Sequence, residues 1–322
     1  MCNNDDNMKI YDKVNNIIND CLTTTIYLLS NELEEYKLYK LSITDNQPFL
    51  DIISKTIGKI DDTCELFDYS LDIKPDAITS ILYLEDKDIP NYDLIKNKII
   101  NDESEYISEN ELVEEYNHIK GYAIKVDYIE DSTQKQLIAF SKLFKSHILT
   151  PKTKFFQFNR DKSIMEKVTS TLVQFNEKLL SINIDNTMFV LDKHYFEQLF
   201  KYEELINKLS QESLNEIQNT NIISNFDSFK EYCQNNKNLK RKLSNVIKNN
   251  CLNQTTYEEF KKLKMKHKEN LLFELNESNQ KIIVDESKLA KSSLQILRIY
   301  NDETATTLLT NTSIFASEKI PI

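Results

Sequence analysis

Residues 121–129 read GYAIKVDYI. Tyr122, Ile124, Val126 and Tyr128 fall on alternate positions, with Ala123, Lys125 and Asp127 between them. A period of two sends the first set to one side of an extended strand and the second set to the other. The runs QLIAFSKLF (136–144), KFFQFN (154–159) and MFVLD (188–192) follow, separated by polar turns. Together they predict an antiparallel sheet with one wet face.

Toward the N-terminus the pattern is mixed. KIYDKVNNIINDCL (9–22) has helical spacing through Ile10, Val14, Ile17 and Ile18. TTTIYLLSN (23–31), YKLYKLSITD (36–45) and ITSILYL (78–84) are β-branched and aromatic, as strands are. Asp45 precedes a helix over NQPFLDIISKTIGKI (46–60), and Pro90 opens another over NYDLIKNKII (91–100). Acidic residues dominate from Asp102 to Glu115, where a boundary is expected between an N-terminal α/β lobe (1–117) and a core domain (118–322).

Toward the C-terminus, Phe196, Leu199, Phe200, Leu205, Ile206 and Leu209 mark a long helix. Shorter helices are expected around Phe226–Tyr232, Leu239–Ile247 and Tyr257–Leu263. Two brief strands, LLFEL (271–275) and KIIVD (281–285), precede a last helix through Leu289, Leu294 and Leu297. The expected fold class is α+β. It has a mostly antiparallel central sheet packed with helices, a helical basic region near the C-terminus and a smaller mixed N-terminal lobe.

At 322 residues, with 40% apolar and 10% aromatic content, the chain has enough apolar surface for a packed core. Its two glycines, Gly58 and Gly121, exclude the Gly-rich phosphate loops of nucleotide motors. Cys2, Cys21, Cys64, Cys233 and Cys251 are scattered, odd in number and without a CxxC pair. That argues against a disulfide framework or zinc ribbon and fits a reducing cytosol. MCNNDDNMKIYDK lacks the basic flank and apolar core of a signal peptide, and no apolar run reaches the roughly 18 residues of a membrane span. A cytoplasmic protein without its own membrane anchor is expected.

Chemically capable side chains are densest in INIDNTMFVLDKHYFEQLF (182–200), which holds Asp185, Asp192, Lys193, His194 and Glu197. A metal-dependent phosphodiesterase of the PD-(D/E)xK type needs its second acid and lysine two positions apart on a strand, because alternate residues share a face. Asp192 and Lys193 are adjacent, and the position two before Lys193 is Leu191. Asp192 instead stands between an apolar strand and a helix, where a carboxylate caps the helix. Asp185 and Asn186 then form the turn entering MFVLD. His194 and Glu197 at i, i+3 make two ligands, too few for a metal site. No catalytic residue, metal ligand or cofactor is assigned.

Net charge is −11, which opposes nucleic-acid binding if the charge is spread evenly. It is not. From Lys237 to Lys268 ten basic residues face two acids, Glu258 and Glu259. KNLKRKLSNVIKNN (237–250) fits a helix with Leu239, Leu243 and Val246 inward and Lys240, Arg241, Lys242 and Lys248 outward. In EEFKKLKMKHKEN (258–270) a helix spreads Lys261, Lys262, Lys264, Lys266 and Lys268 around its barrel, whereas a strand places the even-numbered four on one face. Both forms leave a positive field suited to backbone phosphates rather than base edges. A further run carries Lys142, Lys145, Lys152, Lys154, Arg160, Lys162 and Lys167 around Phe155, Phe156 and Phe158, which are expected in the core.

The strand-helix joint, through Phe196, Glu197 and Phe200, resembles a pattern of the KwaB-like family. So does the terminus LQILRIYNDETATTLLTNTSIFASEK (294–319), with Asn301, Asp302, Leu309, Thr310, Ser317 and Lys319. The resemblance covers roughly residues 120–322. It implies a cytosolic, DNA-binding component of the Kiwa anti-phage defence system, working beside a small membrane-spanning partner, KwaA. Among the matched positions, Phe196, Glu197, Asn301 and Asp302 are expected to define the fold. The leading expectation is a homodimeric effector that holds DNA through Lys240, Arg241, Lys242, Lys248 and the lysines from 261 to 268. Two alternatives stay open: a metal-dependent nuclease using Asp185, Asp192 and Glu197, and a module binding an acidic protein.

Overall fold

A computed structural model describes residues 4–32, 35–58, 64–71, 80–149, 156–159, 164–168, 170–248, 252–267, 270–306 and 313–315. The chain divides into two compact units, residues 1–69 with 75–201, and residues 70–74 with 202–322.

The first unit carries the predicted sheet. Its nine strands are β1 (Cys21–Glu32), β2 (Glu35–Leu41), β3 (Glu65–Asp68), β4 (Ser80–Glu85), β5 (Glu105–Tyr106), β6 (Ile119–Glu130), β7 (Thr133–Lys142), β12 (Leu179–Ile184) and β13 (Thr187–Val190). They lie in the order β3-β4-β13-β12-β7-β6-β1-β2-β5. Among the described residues of this sheet only the two outermost pairs, β3 with β4 and β2 with β5, are parallel. Two ribbons stand apart, β8 (Ile148–Leu149) with β11 (Leu172–Val173) and β9 (Phe156–Asn159) with β10 (Ile164–Lys167). The fold is α+β, as the period-two runs predict. Strands from before and after residue 117 pair in one sheet, since β1 lies between β2 and β6.

Two tight hairpins organise its centre. Asp131 and Ser132 join β6 to β7, and Asp185 and Asn186 join β12 to β13. All four have positive φ, from 48° to 64°. Two-residue hairpins favour such turns because their twist matches the strands. Asp and Asn tolerate this region, and Asp131, Asp185 and Asn186, with Ser132, take the place glycine often fills.

The expected wet face is absent from the centre of the sheet. Residues 121–128 are buried without interruption. One face packs Ile124, Val126, Leu137 and Ile182 against Val14 and Ile17 of α1 (Asn4–Asn19) and Phe49 and Ile53 of α2 (Gln47–Ile57). On the other, Phe140 meets Tyr92 of α3 (Tyr92–Ile100) edge-on at 5.9 Å and Phe200 at 5.3 Å. Lys125 and Asp127, whose alternation suggested solvent, are therefore enclosed as an ion pair at 3.5 Å, with Thr23 donating to Asp127 at 2.8 Å. The acidic stretch 102–115 folds as β5 and α4 (Glu109–Glu115), the latter closed by a Ser108/Glu111 capping box.

The long helix predicted after Phe196 is two helices. Lys201, with φ of 55°, separates α5 (Lys193–Leu199) from α6 (Tyr202–Asn219). The second unit then holds α7 (Phe226–Asn235), α8 (Lys237–Lys248), α9 (Tyr257–Lys266), the hairpin β14 (Phe273–Asn276) and β15 (Lys281–Val284), α10 (Leu289–Tyr300) and a ribbon of β16 (Thr304–Thr306) with β17 (Ser313–Phe315). Its core joins Leu214, Phe229, Leu243, Phe260, Phe273 and Leu297. Among the described residues no helix is long and apolar enough to cross a membrane. Cys21 and Cys233 are free thiols, Cys64 is buried, and Cys2 and Cys251 lie outside the described residues.

Candidate nucleic-acid interface

The basic window forms two helices. Asn236 starts α8, its Oδ1 accepting from the backbone N–H of Asn238 at 3.0 Å and Leu239 at 3.2 Å. Leu239, Leu243 and Val246 are buried, as their spacing predicts. The opposite side is half-buried rather than fully solvated. Lys240 Nζ donates to Asn207 Oδ1 at 3.1 Å, and the Arg241 guanidinium donates to the carbonyl of Leu71 at 2.8 Å. Lys242 pairs with Glu303 at 2.7 Å, while Asn301 Nδ2 donates to the Lys242 carbonyl at 3.1 Å. Lys237 is exposed. Lys248 ends α8, and its side chain lies outside the described set, as does Lys268.

The second piece is a helix and not a strand. Thr256 caps α9 by accepting from the Glu259 N–H, and Tyr257 and Phe260 turn inward one turn apart. Phe260 meets Phe273 at 5.4 Å and Tyr300 at 5.6 Å between ring centroids. The lysines accordingly spread around the helix. Lys261 pairs with Glu277 at 3.2 Å and Lys262 with Glu259 at 2.6 Å, and these carboxylates raise both ammonium pKa values. Lys264 donates to the Leu271 carbonyl at 2.6 Å and lies 5.6 Å from the Phe273 ring centroid. Lys262 and Lys266 are exposed.

Three of the predicted cations thus carry an acid partner, and two of those acids, Glu277 and Glu303, lie outside the window in which the charge was counted. Exposed pairs such as Lys262 with Glu259 are screened by water and held weakly, so a phosphate competes with them readily. Lys242 with Glu303 is less accessible, with side-chain exposures of 19% and 12%.

The 182–200 cluster resolves into structural duties. Asp185 ion-pairs with Lys13 and, at 3.4 Å, with Lys135. Burial works to raise the Asp185 pKa, but the hydrogen bond and charge of Lys13, with those of Lys135, bring it below the ordinary carboxylate value. Asp192 caps α5, accepting from the Tyr195 N–H at 3.1 Å. Glu197 is buried; it pairs with Lys193 at 3.6 Å and accepts from the Tyr69 hydroxyl at 2.9 Å. Among the described residues no group of three or more His, Cys, Asp and Glu side chains is placed to hold a metal ion. Of the four positions expected to define the fold, Phe196, Glu197 and Asn301 are 0%, 6% and 1% exposed, whereas Asp302 is exposed, with a positive φ of 52° just after α10. Leu309, Thr310, Ser317 and Lys319 lie outside the described residues, as do Lys152, Lys154, Phe155, Arg160 and Lys162.

Residues 116–310 match a family model described as Kiwa protein KwaB-like. No curated protein and no solved structure matches the chain.

Proposed function

The chain belongs to the Kiwa KwaB-like family, and on that premise we propose that it is a defence effector that binds DNA without sequence preference through α8 and α9. Family membership implies a role in anti-phage defence and points to a Kiwa partner. The observation supporting DNA as the ligand is the excess of ten basic residues over two acids between Lys237 and Lys268, with Lys237, Lys262 and Lys266 exposed on two helices. Phosphate neutralisation by such groups releases counterions, which gives affinity without base readout.

The mechanism is occupancy. A homodimer held on phage DNA impedes its replication or expression, while the membrane-spanning partner KwaA senses infection and recruits this cytoplasmic protein to the inner face of the membrane. Gel shifts over a salt series test the DNA step. Reversing Lys237, Lys262 and Lys266 to Glu is expected to weaken binding more than tenfold and to lower the salt slope by about 3, near 0.9 per phosphate contact. Unchanged affinity and slope refute the assignment to these helices.

A further inference from the structure

The sheet end where β6 begins and β7 finishes carries a second set of cations. Lys142 lies across from Gly121 in the β6–β7 ladder, and the Leu143 N–H donates to the Lys120 carbonyl at 3.2 Å. Lys142 Nζ is 3.8 Å from the Tyr195 ring centroid and 4.6 Å from that of Phe144, and it donates to Gln198 Oε1 at 2.9 Å. Lys145 Nζ lies 5.2 Å from the ring centroid of Tyr116. His147 packs edge-on to Phe144 at 5.1 Å, and His194 adjoins Tyr195 at 5.0 Å. Lys120, Lys145 and His194 are exposed, and the three aromatic rings are half-buried.

This patch differs from α8 and α9 in its charge balance. Among the described residues no carboxylate lies within ion-pair distance of Lys120, Lys142 or Lys145, whereas Lys242, Lys261 and Lys262 each have one. Asp192 is the acid whose charge reaches Lys142, and its carboxylate is engaged in capping α5. Burial lowers the Lys142 pKa; Asp192 opposes this and Lys120 adds to it. Cations without counter-charges gain most from an arriving anion.

We propose that this surface is a second nucleic-acid contact that takes a single-stranded segment, with phosphates on Lys120, Lys142 and Lys145 and bases against Tyr195, Phe144 and Tyr116. The proposal rests on the nucleic-acid reading of the chain and adds the form of the strand. Lysines interleaved with partly open rings suit a strand whose bases are free to stack. A duplex keeps its base faces inside and offers this patch phosphates alone.

The test uses the full-length protein, with anisotropy of labelled oligothymidylate and of a duplex of equal length. In the combined variant Lys120→Gln, Lys142→Gln, Lys145→Gln, affinity for oligothymidylate is expected to fall at least tenfold and its salt slope by about 2. Duplex affinity is expected to change less than threefold. The chain contains no tryptophan, so Tyr195→Trp supplies a single fluorescent reporter, expected to be quenched by oligothymidylate. Should the combined variant lose its circular dichroism, the reporter alone decides. Unchanged oligothymidylate affinity in a folded variant, equal loss for both ligands, or an unquenched reporter overturns the proposal. If the native protein binds neither ligand, the nucleic-acid reading itself falls. If α8 and α9 variants lose duplex binding while the combined variant keeps oligothymidylate, only this patch falls.

Discussion

Gly121 sits where β6 and β7 meet the last turn of α5. A Cβ there would stand 2.5 Å from the Ser141 carbonyl oxygen and 3.2 Å from Leu199 Cδ1. The first of these is backbone and cannot rotate away. Gly121→Ala is expected to destabilise the protein by about 1–3 kcal/mol, measured as a lower urea midpoint, while Gly58→Ala stays within about 0.5 kcal/mol. Asp192→Ala removes the α5 cap and should cost about 1 kcal/mol, most of it recovered by Asp192→Asn. A full effect from the Asn variant would show that charge, not capping, carries the role of Asp192. The cap and the Asp185–Asn186 turn were legible in the sequence because each is set by residues a few positions apart. The partners of Lys242 and Arg241, Glu303 and Leu71, lie 61 and 170 positions away, and no local pattern announces them.

At the scale of elements, most strands and helices follow from periodicity, and the exceptions have physical causes. The 196–209 pattern is helical on both sides of Lys201 but cannot pass a residue held in the left-handed region. The lysines of α9 suited either a strand or a helix, and burial of Tyr257 and Phe260 decides for the helix. Lys125 and Asp127 alternate with apolar residues as solvent-facing positions do, yet helices cover both faces of the sheet. Period two gives the strand but says nothing of what covers its second face. The candidate surface was legible as a charge excess. Its partial neutralisation by Glu277 and Glu303, from outside the basic window, was not, nor was the gathering of Lys120 and Tyr195 beside Lys142.

At the scale of the whole molecule, two carboxylates tie distant segments of the first unit together. Asp102 accepts from Lys40 at 2.8 Å and from the Tyr27 hydroxyl at 3.0 Å, and Asp185 holds Lys13 and Lys135. The Lys40 hydrogen bond is the main cause of the lowered Asp102 pKa, and Lys13 with Lys135 outweighs burial at Asp185. A carboxylate with a folded pKa below its unfolded value stabilises fully above about pH 4, and that contribution is lost as pH falls through the depressed value. The thermal midpoint should therefore drop as pH falls below about 4, and the drop should be shallower in Asp185→Asn. An equally steep decline in that variant would place the acid sensitivity elsewhere.

The chain is acidic at −11, and its proposed activity requires it to bind a polyanion nonetheless. That tension makes the salt dependence of DNA binding the most direct measurement. Binding of duplex DNA by the native protein should weaken steeply and linearly in log affinity against log salt. Replacing Lys237, Lys262 and Lys266 together by Glu should remove about three units of that slope with the fold intact. A native protein that leaves duplex DNA unshifted at 50 mM salt would contradict DNA binding, and an unaltered slope in the variant would move the contact away from α8 and α9.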